Sequence, residues 1–405
     1  MSEGNHRAST FRQPKAAWAV AFAVVVAFMG LGLVDPILTS IAKNLHATPS
    51  QVELLFTSYM LITAIMMVIT GAVSSRIGPK WTLLVGLFII VVFSALAGTS
   101  GTVAQVVLFR GGWGLGNALF IATALAVIVS VASGGAAAAV VLYEAALGLG
   151  LSVGPLLGGW LGSISWRGPF YGVSVLMLIG LLAIATMLPK LPKPKKSVSV
   201  LDPFRALRYP GLSTMAITAF FYNYGFYTLF AFTPFVLNMS ARGLGFVFFG
   251  WGVMMAIFSV FLAPWFERHF SVKRSMYAML ILIALDLLCI GLAIAPGKHA
   301  INVLGASWSV RTIIVTAVII AGALMGIMAT LLTTAVMQAA PVERSVASAA
   351  YSFARFLGGA FAPWLAGKLA ERYNPSLSFY MGTIAVVISI IVFYIGRKHV
   401  KDSFD

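Results

Sequence analysis

Twelve long apolar runs constrain this chain more than any other feature: 16–42, 51–74, 81–99, 103–131, 136–163, 168–188, 211–238, 245–266, 275–295, 311–338, 345–370 and 376–396. A helix needs about 20 apolar residues to cross the roughly 30 Å hydrocarbon core of a bilayer. The runs are continuous rather than alternating, which predicts helices and excludes the strands of a membrane barrel. Only 9% of the 405 residues are charged, against about 25% in soluble domains, so most of the surface must face lipid. The net charge of +16 does not point to nucleic acid, because Lys and Arg lie at the ends of apolar runs rather than on one aromatic-interleaved face. The lone Cys289 has no cysteine partner within the chain. No cleavage pattern of a signal peptide follows the tail "MSEGNHRASTFRQPK".

The positive charges orient the chain. With the N-terminus inside, the inner segments carry 18 of the 27 Lys and Arg residues and the outer segments seven; Arg110 and Arg355 fall inside runs. Cytoplasmic loops carry such an excess, so both termini are expected in the cytoplasm. The longest polar segment, "LPKLPKPKKSVSVLDPFRALRYPG" from Leu188, divides the runs six and six. The expected organisation is a tail (1–15), a six-helix bundle (16–188), a basic linker (189–210), a second bundle (211–396) and a tail (397–405). The halves repeat each other: "GAVSSRIGPKWTL" from Gly71 aligns with "APWFERHFSVKRSM" from Ala263, and "GLSVGPLLGG" from Gly150 with "GGAFAPWLAG" from Gly358. Two repeated bundles joined by a loop are the layout of a rocking secondary transporter.

Three motifs resemble those of the major facilitator superfamily, and within it the twelve-helix drug:proton antiporters. The first is "GAVSSRIGPKWTL", where Gly71, Arg76, Gly78 and Lys80 fit the signature between the second and third helices and Ser75 replaces its usual Asp. The second is "RGGWGLGNA" from Arg110 on the fourth helix; the third, "GLSVGPLLGG" on the fifth, resembles the antiporter motif found mainly in exporters. In physical terms, Gly150, Gly154 and Gly158, with Gly159 beside the last, build a smooth ridge for close helix approach, and Pro155 removes a backbone donor and can kink the helix. The ridge either only packs or also gates an outer cavity. The glycine runs do not follow a strand within a βαβ unit, and no phosphate-binding GxxxxGK is present, so nucleotide hydrolysis is not the expected energy source.

Ionisable groups inside the runs narrow the chemistry. Asp35, Arg110, Glu144, Asp286 and Arg355 each cost roughly 3 kcal/mol at the centre of an isolated inserted helix, so they should face a bundle interior or a wet cavity and find partners. Depth along the helices matches Asp35 to Arg110, and the family resemblance places both in the first half of the cavity; the pair is either a structural salt bridge or one in which Asp35 exchanges Arg110 for a proton or cation. Glu144 has no basic residue within a turn. It either takes up and releases a proton during transport, stays neutral throughout, or reaches back to the inner headgroups. Asp286 is expected to be structural, and Glu53 to be solvated near the outer surface or at the cavity mouth.

The resemblance further implies a cytoplasmic latch between the halves. Its candidate residues are Gly71, Arg76, Gly78, Lys80, Glu267, Arg268 and Glu343, with simple positive-inside anchoring as the other reading of the bases. It also implies a cavity lined by the seventh and tenth helices. The candidates there are Tyr222, Asn223, Tyr227, Met325 and Met328, with Asn117 on the face of Arg110 and with Arg355, which binds an anion, meets a carboxylate across the cavity, or only packs. Aromatic and Met side chains suit lipophilic ligands of varied shape. The expectation is therefore an all-α integral membrane protein of twelve helices in two pseudo-symmetric six-helix bundles. It is expected to be a monomer that exchanges protons for small lipophilic substrates across a lipid bilayer, with no metal, cofactor or nucleic acid. The alternatives are an exporter of one amphiphile such as a siderophore, an importer of the same fold, and a receptor or membrane enzyme. All five His residues lie outside the runs, which removes the usual base or metal ligand of an enzyme.

Overall fold

A computed structural model describes residues 13–133, 135–192, 199–296, 300–303, 306–339, 342 and 344–400. The long helices, in chain order, are α1 (Lys15–Asn44), α2 (Pro49–Ile77), α3 (Pro79–Thr99), α4 (Val103–Val131), α5 (Gly135–Ile164), α6 (Gly168–Met187), α7 (Pro210–Leu237), α8 (Ala241–His269), α9 (Val272–Ala293), α10 (Val310–Gln338), α11 (Arg344–Arg372) and α12 (Pro375–Gly396). Ten of them are long and apolar enough to cross a membrane by length and composition. The other two, α7 and α11, have 28 and 29 residues and carry the polar residues that face the central cavity, among them Asn223 and Arg355. One feature departs from an all-helical chain. The long loop between α9 and α10 holds an antiparallel pair, β1 (Ala300–Val303) and β2 (Ala306–Ser309), where Ile301, Val303 and Trp308 supply strand-favouring residues.

Helix starts and breaks are written in local chemistry. Thr48 opens α2 with a capping box: its hydroxyl accepts from the Gln51 amide, and the Gln51 side chain accepts from the Thr48 amide. Thr102 and Gln105 do the same for α4. Gly78 turns α2 into α3 in one residue at φ 91°, a conformation that a β-carbon makes costly. Within α1, regular helix stops at Gly32, a 3-10 turn spans Asp35–Ile37, and helix resumes over Leu38–Asn44; Pro36 in that turn has no amide to donate. In α8 the segment Phe258–Leu262 is π-helical, a local widening often found at functional sites.

The first six helices pack on one another, chiefly α2 on α4, α3 on α4 and α6, and α1 on α5 and α6. The last six do likewise, through α7 on α11 and α12, α9 on α10 and α12, and α8 on α10. Two seams join the sets, α2 to α11 and α5 to α8. Close approach depends on missing side chains: a methyl group at Gly86 would lie 2.7 Å from the Gly116 carbonyl oxygen, and one at Gly326 would strike the Met255 carbonyl. Large apolar side chains such as Leu108, Phe246, Phe261 and Ile395 point outward, as a lipid-facing exterior requires.

Candidate functional site

A cavity of about 980 Å³ lies between the two sets of helices. Phe28, Phe56 and Met60 line it from the first set; Tyr222, Tyr227 and Trp251 line it from the second. Gly71, Ser74, Pro79, Pro264 and Val346 also border it, and these sit where their helices end or begin on the side that holds both termini. The cavity is therefore open on the side of the termini.

The opposite side is closed by polar clasps over glycine contacts. The Ser50 amide donates to Glu371 Oε1 at 2.7 Å and the Ser50 hydroxyl to Oε2 at 3.0 Å, tying α2 to α11. Arg242 Nε donates to Ser163 Oγ at 3.0 Å, tying α8 to α5. A methyl group at Gly367 would lie 2.6 Å from Ser50 Cα, and one at Gly245 would lie 2.8 Å from the Pro155 carbonyl oxygen.

The glycine ridge of α5 has two partners. Gly150, Gly154 and Gly158 face α1, where added methyl groups would meet the carbonyl oxygens of Val25, Met29 and Leu33. Gly159 faces α8 across the seam, 2.5 Å from the Ala241 carbonyl oxygen by the same measure. Pro155 touches both sides, against Gly32 of α1 and Gly245 of α8. The ridge thus fixes α1 within its own set, while its far end meets the neighbouring set.

Behind the closed side lies a group of buried ionisable residues outside the cavity lining. Asp35, Glu53 and Arg110 are all fully buried. The expected Asp35–Arg110 ion pair is not formed. The Arg110 guanidinium instead sits over the rings of Tyr59 and Trp113, at 4.3 and 4.4 Å from their centroids, and reaches the Gly30 carbonyl oxygen at 3.5 Å. Gly30 permits this, since a methyl group there would lie 2.7 Å from Trp113. Among the described residues, neither oxygen of Asp35 nor of Glu53 has a hydrogen-bond partner. Glu53 is not solvated, as its position near a helix start suggested, but fully buried. The charged groups whose fields reach Asp35 are Glu53 and Arg110, and the turn that carries Asp35 packs against α5, α7 and α8. Glu144 lies on α5, and its side chain is outside the described residues.

The predicted lining residues divide. Tyr222, Asn223, Tyr227 and Arg355 line the cavity. Tyr222 also donates to the Met325 carbonyl at 3.3 Å, and Asn223 to the Ala219 carbonyl of its own helix at 2.8 Å. Met325 and Met328 do not line it. Both are fully buried, because α10 turns Ala329, Thr330, Thr333 and Thr334 toward the space instead. Asn117 is likewise buried away from the lining, its amide without a partner. The sequence reading passed over Trp251 on α8; its ring meets Phe230 at 4.8 Å and Phe226 at 5.6 Å. The signal available was Phe248 three residues before it, on the same helical face.

The latch candidates also divide. Lys80 donates to the carbonyl oxygens of Ala185 and Leu188, so its ammonium closes the end of α6 within its own set of helices rather than bridging to the other. Gly71 borders the cavity, Arg76 and Arg268 are exposed at helix ends, and Glu343 falls outside the described residues. Glu267 has one buried carboxylate oxygen without a partner.

Comparison with known proteins agrees with this architecture. The family model described as Major Facilitator Superfamily matches residues 20–363 and 215–405. The chain is 56% identical over 396 residues to "Multidrug efflux protein YfmO" of Bacillus subtilis (strain 168), covering 98% of this chain and 96% of that protein. It is 25% identical over 268 residues to "Quinolone resistance protein NorA" of Staphylococcus aureus (strain MRSA252), covering 64% of this chain and 68% of that one. Among solved structures, a bacterial homolog of the human lysosomal transporter Spinster, in an inward-facing and occupied conformation, superposes with a TM-score of 0.75 at 15% identity over 94% of this chain and 96% of that one. Two six-helix sets around one cavity, the full-length family match and the 56% identical relative place this multi-pass membrane protein in the Major Facilitator Superfamily.

Proposed function

We propose that the protein exports lipophilic small molecules across a bacterial inner membrane by alternating access, driven by proton entry. The observation that carries this reading is the cavity between the two sets of helices, bordered by residues at the side of the termini and clasped shut on the other. The B. subtilis relative is named a multidrug efflux protein, and an aromatic lining with Met60 and Met255 suits ligands of varied shape. The excess of Lys and Arg near the termini puts that side in the cytoplasm, so this conformation loads substrate from within. The bundles 16–188 and 211–396 rock as units about the linker 189–210, and the protein works as a monomer.

In this reading Asp35 and Glu53 are the proton carriers of the closed side. Both are buried without a hydrogen-bond partner among the described residues, and an uncompensated charge in such a place is costly enough that a carboxyl there is neutral. Parting α2 from α11 and α5 from α8 gives them water on the outer face, where protons arrive; Arg110 is the positive charge whose field reaches Asp35. Glu144 remains a candidate for release on the inner side. Reconstitution into proteoliposomes with an imposed pH gradient tests the reading. Accumulation of lipophilic probes that collapses with a protonophore supports it, and gradient-independent equilibration overturns it.

A further inference from the structure

The lining of the cavity has a charge asymmetry that bears on what it binds. Arg355 of α11 is the one charged side chain among the described residues that line it; no Asp or Glu is among them. Its guanidinium carbon lies 5.0 Å from the Phe356 ring centroid and 5.7 Å from that of Tyr351, and the tyrosines 222, 227 and 351 are the titratable groups whose fields reach it. No acid among the described residues forms an ion pair with it. Arg355 is thus held by aromatic faces and has no counter-charge among the described residues, in a cavity whose other lining is apolar, hydroxyl-bearing or, at Asn223, an amide.

We infer that Arg355 anchors the acidic group of an amphiphilic organic anion whose apolar, ring-bearing body lies against Tyr227, Phe230 and Trp251. A guanidinium presents five donors in a planar fork matched to a carboxylate, so donors remain for a ligand beside the one that Tyr351 can take. A positive charge with no acid among the described lining residues, in a largely apolar cavity, disfavours a permanent cation by like-charge repulsion and selects the opposite sign. The rings in the lining supply area for a lipophilic body, with Ser348 and Ser352 of the same helix offering hydroxyls along the wall that carries Arg355. This rests on the reading of the cavity as a transport site and names its preferred substrate class.

The test separates this inference from proton coupling by measuring binding without any gradient. Purified protein in lipid nanodiscs is titrated with three fluorescent probes on one scaffold: a coumarin carboxylate, its methyl ester, and a coumarin bearing a trimethylammonium group. The expected order of affinity is carboxylate over ester over ammonium, with at least tenfold between the first and the last. Arg355→Gln is expected to erase the preference of carboxylate over ester, and Arg355→Lys to restore part of it, because charge survives while the planar fork does not. Binding of the ester to Arg355→Gln reports that the cavity is intact. The inference is overturned if the wild type prefers the ammonium probe, or if Arg355→Gln weakens carboxylate and ester by the same factor. A protein that binds the carboxylate in this pattern yet shows no gradient-driven flux leaves the anion site standing and removes the proposed engine.

Discussion

Ser50, at the start of α2, gives both its amide and its hydroxyl to the carboxylate of Glu371, near the end of α11. The two residues are 321 positions apart and belong to different sets of helices, so this bond exists only while the side opposite the termini is closed. Lys368 adds a contact to Glu371 at 3.6 Å, with the carboxylate side chain 25% exposed. The clasp is therefore a charge-assisted closure at the rim of the molecule.

Replacing Glu371 with Gln should loosen that closure. Hydrogen bonds to a charged group contribute about 1.5–3 kcal/mol, less where water competes, so a shift of roughly tenfold toward the outward-open state is expected. Spin–spin distances between labels on the outer ends of α2 and α11 would report it as a longer-distance population. An unchanged distance distribution would mean that the glycine contacts alone hold the seam.

Gly154 should be intolerant of Ala while Gly148 accepts it. A methyl group at Gly154 would sit 2.6 Å from the Met29 carbonyl oxygen, whereas at Gly148 the nearest atom is 3.7 Å away. Overpacking of this kind costs about 1–3 kcal/mol. Thermal unfolding in detergent should show a lowered midpoint for Gly154→Ala and an unchanged one for Gly148→Ala; equal midpoints would refute the close approach of α5 and α1.

Lys80→Met should destabilise the first set of helices rather than alter communication between the sets. It removes the donor to the Ala185 and Leu188 carbonyl oxygens at the end of α6, a contribution of about 1 kcal/mol for a partly exposed helix-end cation. The readout is hydrogen exchange at residues 185–188, which should quicken several-fold. If exchange there is unaltered while the distances between sets shift, Lys80 acts as a latch after all.

Glu53→Gln should keep the fold and the cavity but slow gradient-driven uptake by about tenfold or more, since a buried amide of similar shape carries no exchangeable charge. Initial rates in proteoliposomes at matched protein content decide this. Wild-type rates in the variant would leave Glu53 as a packing residue.

Much of the architecture is legible in the sequence because bilayer thickness dictates helix length, and the caps at Thr48 and Thr102 and the turn at Gly78 mark where helices begin. What stays hidden is direction around each helix axis. Depth placed Asp35 level with Arg110, yet depth says nothing of azimuth, and Arg110 faces Tyr59 and Trp113 instead. The glycine spacing of α5 announced a close neighbour without naming it, and two neighbours share the ridge. Met325 and Met328 have the chemistry of an adaptable wall but lie off the cavity face of α10. Glu53 reads as a solvated helix-start acid because the helices that pack along α2, α4 and α11, are distant in sequence.

If substrate leaves through this cavity at the expense of proton entry, its flux must follow an imposed pH gradient. Purified protein in proteoliposomes, with an acidic lumen and the face of the termini outward, is offered the three coumarin probes. Accumulation of at least one probe above its external concentration is expected, lost on adding a protonophore or on equalising the pH. Identical uptake with and without the gradient, for every probe that moves at all, would contradict it.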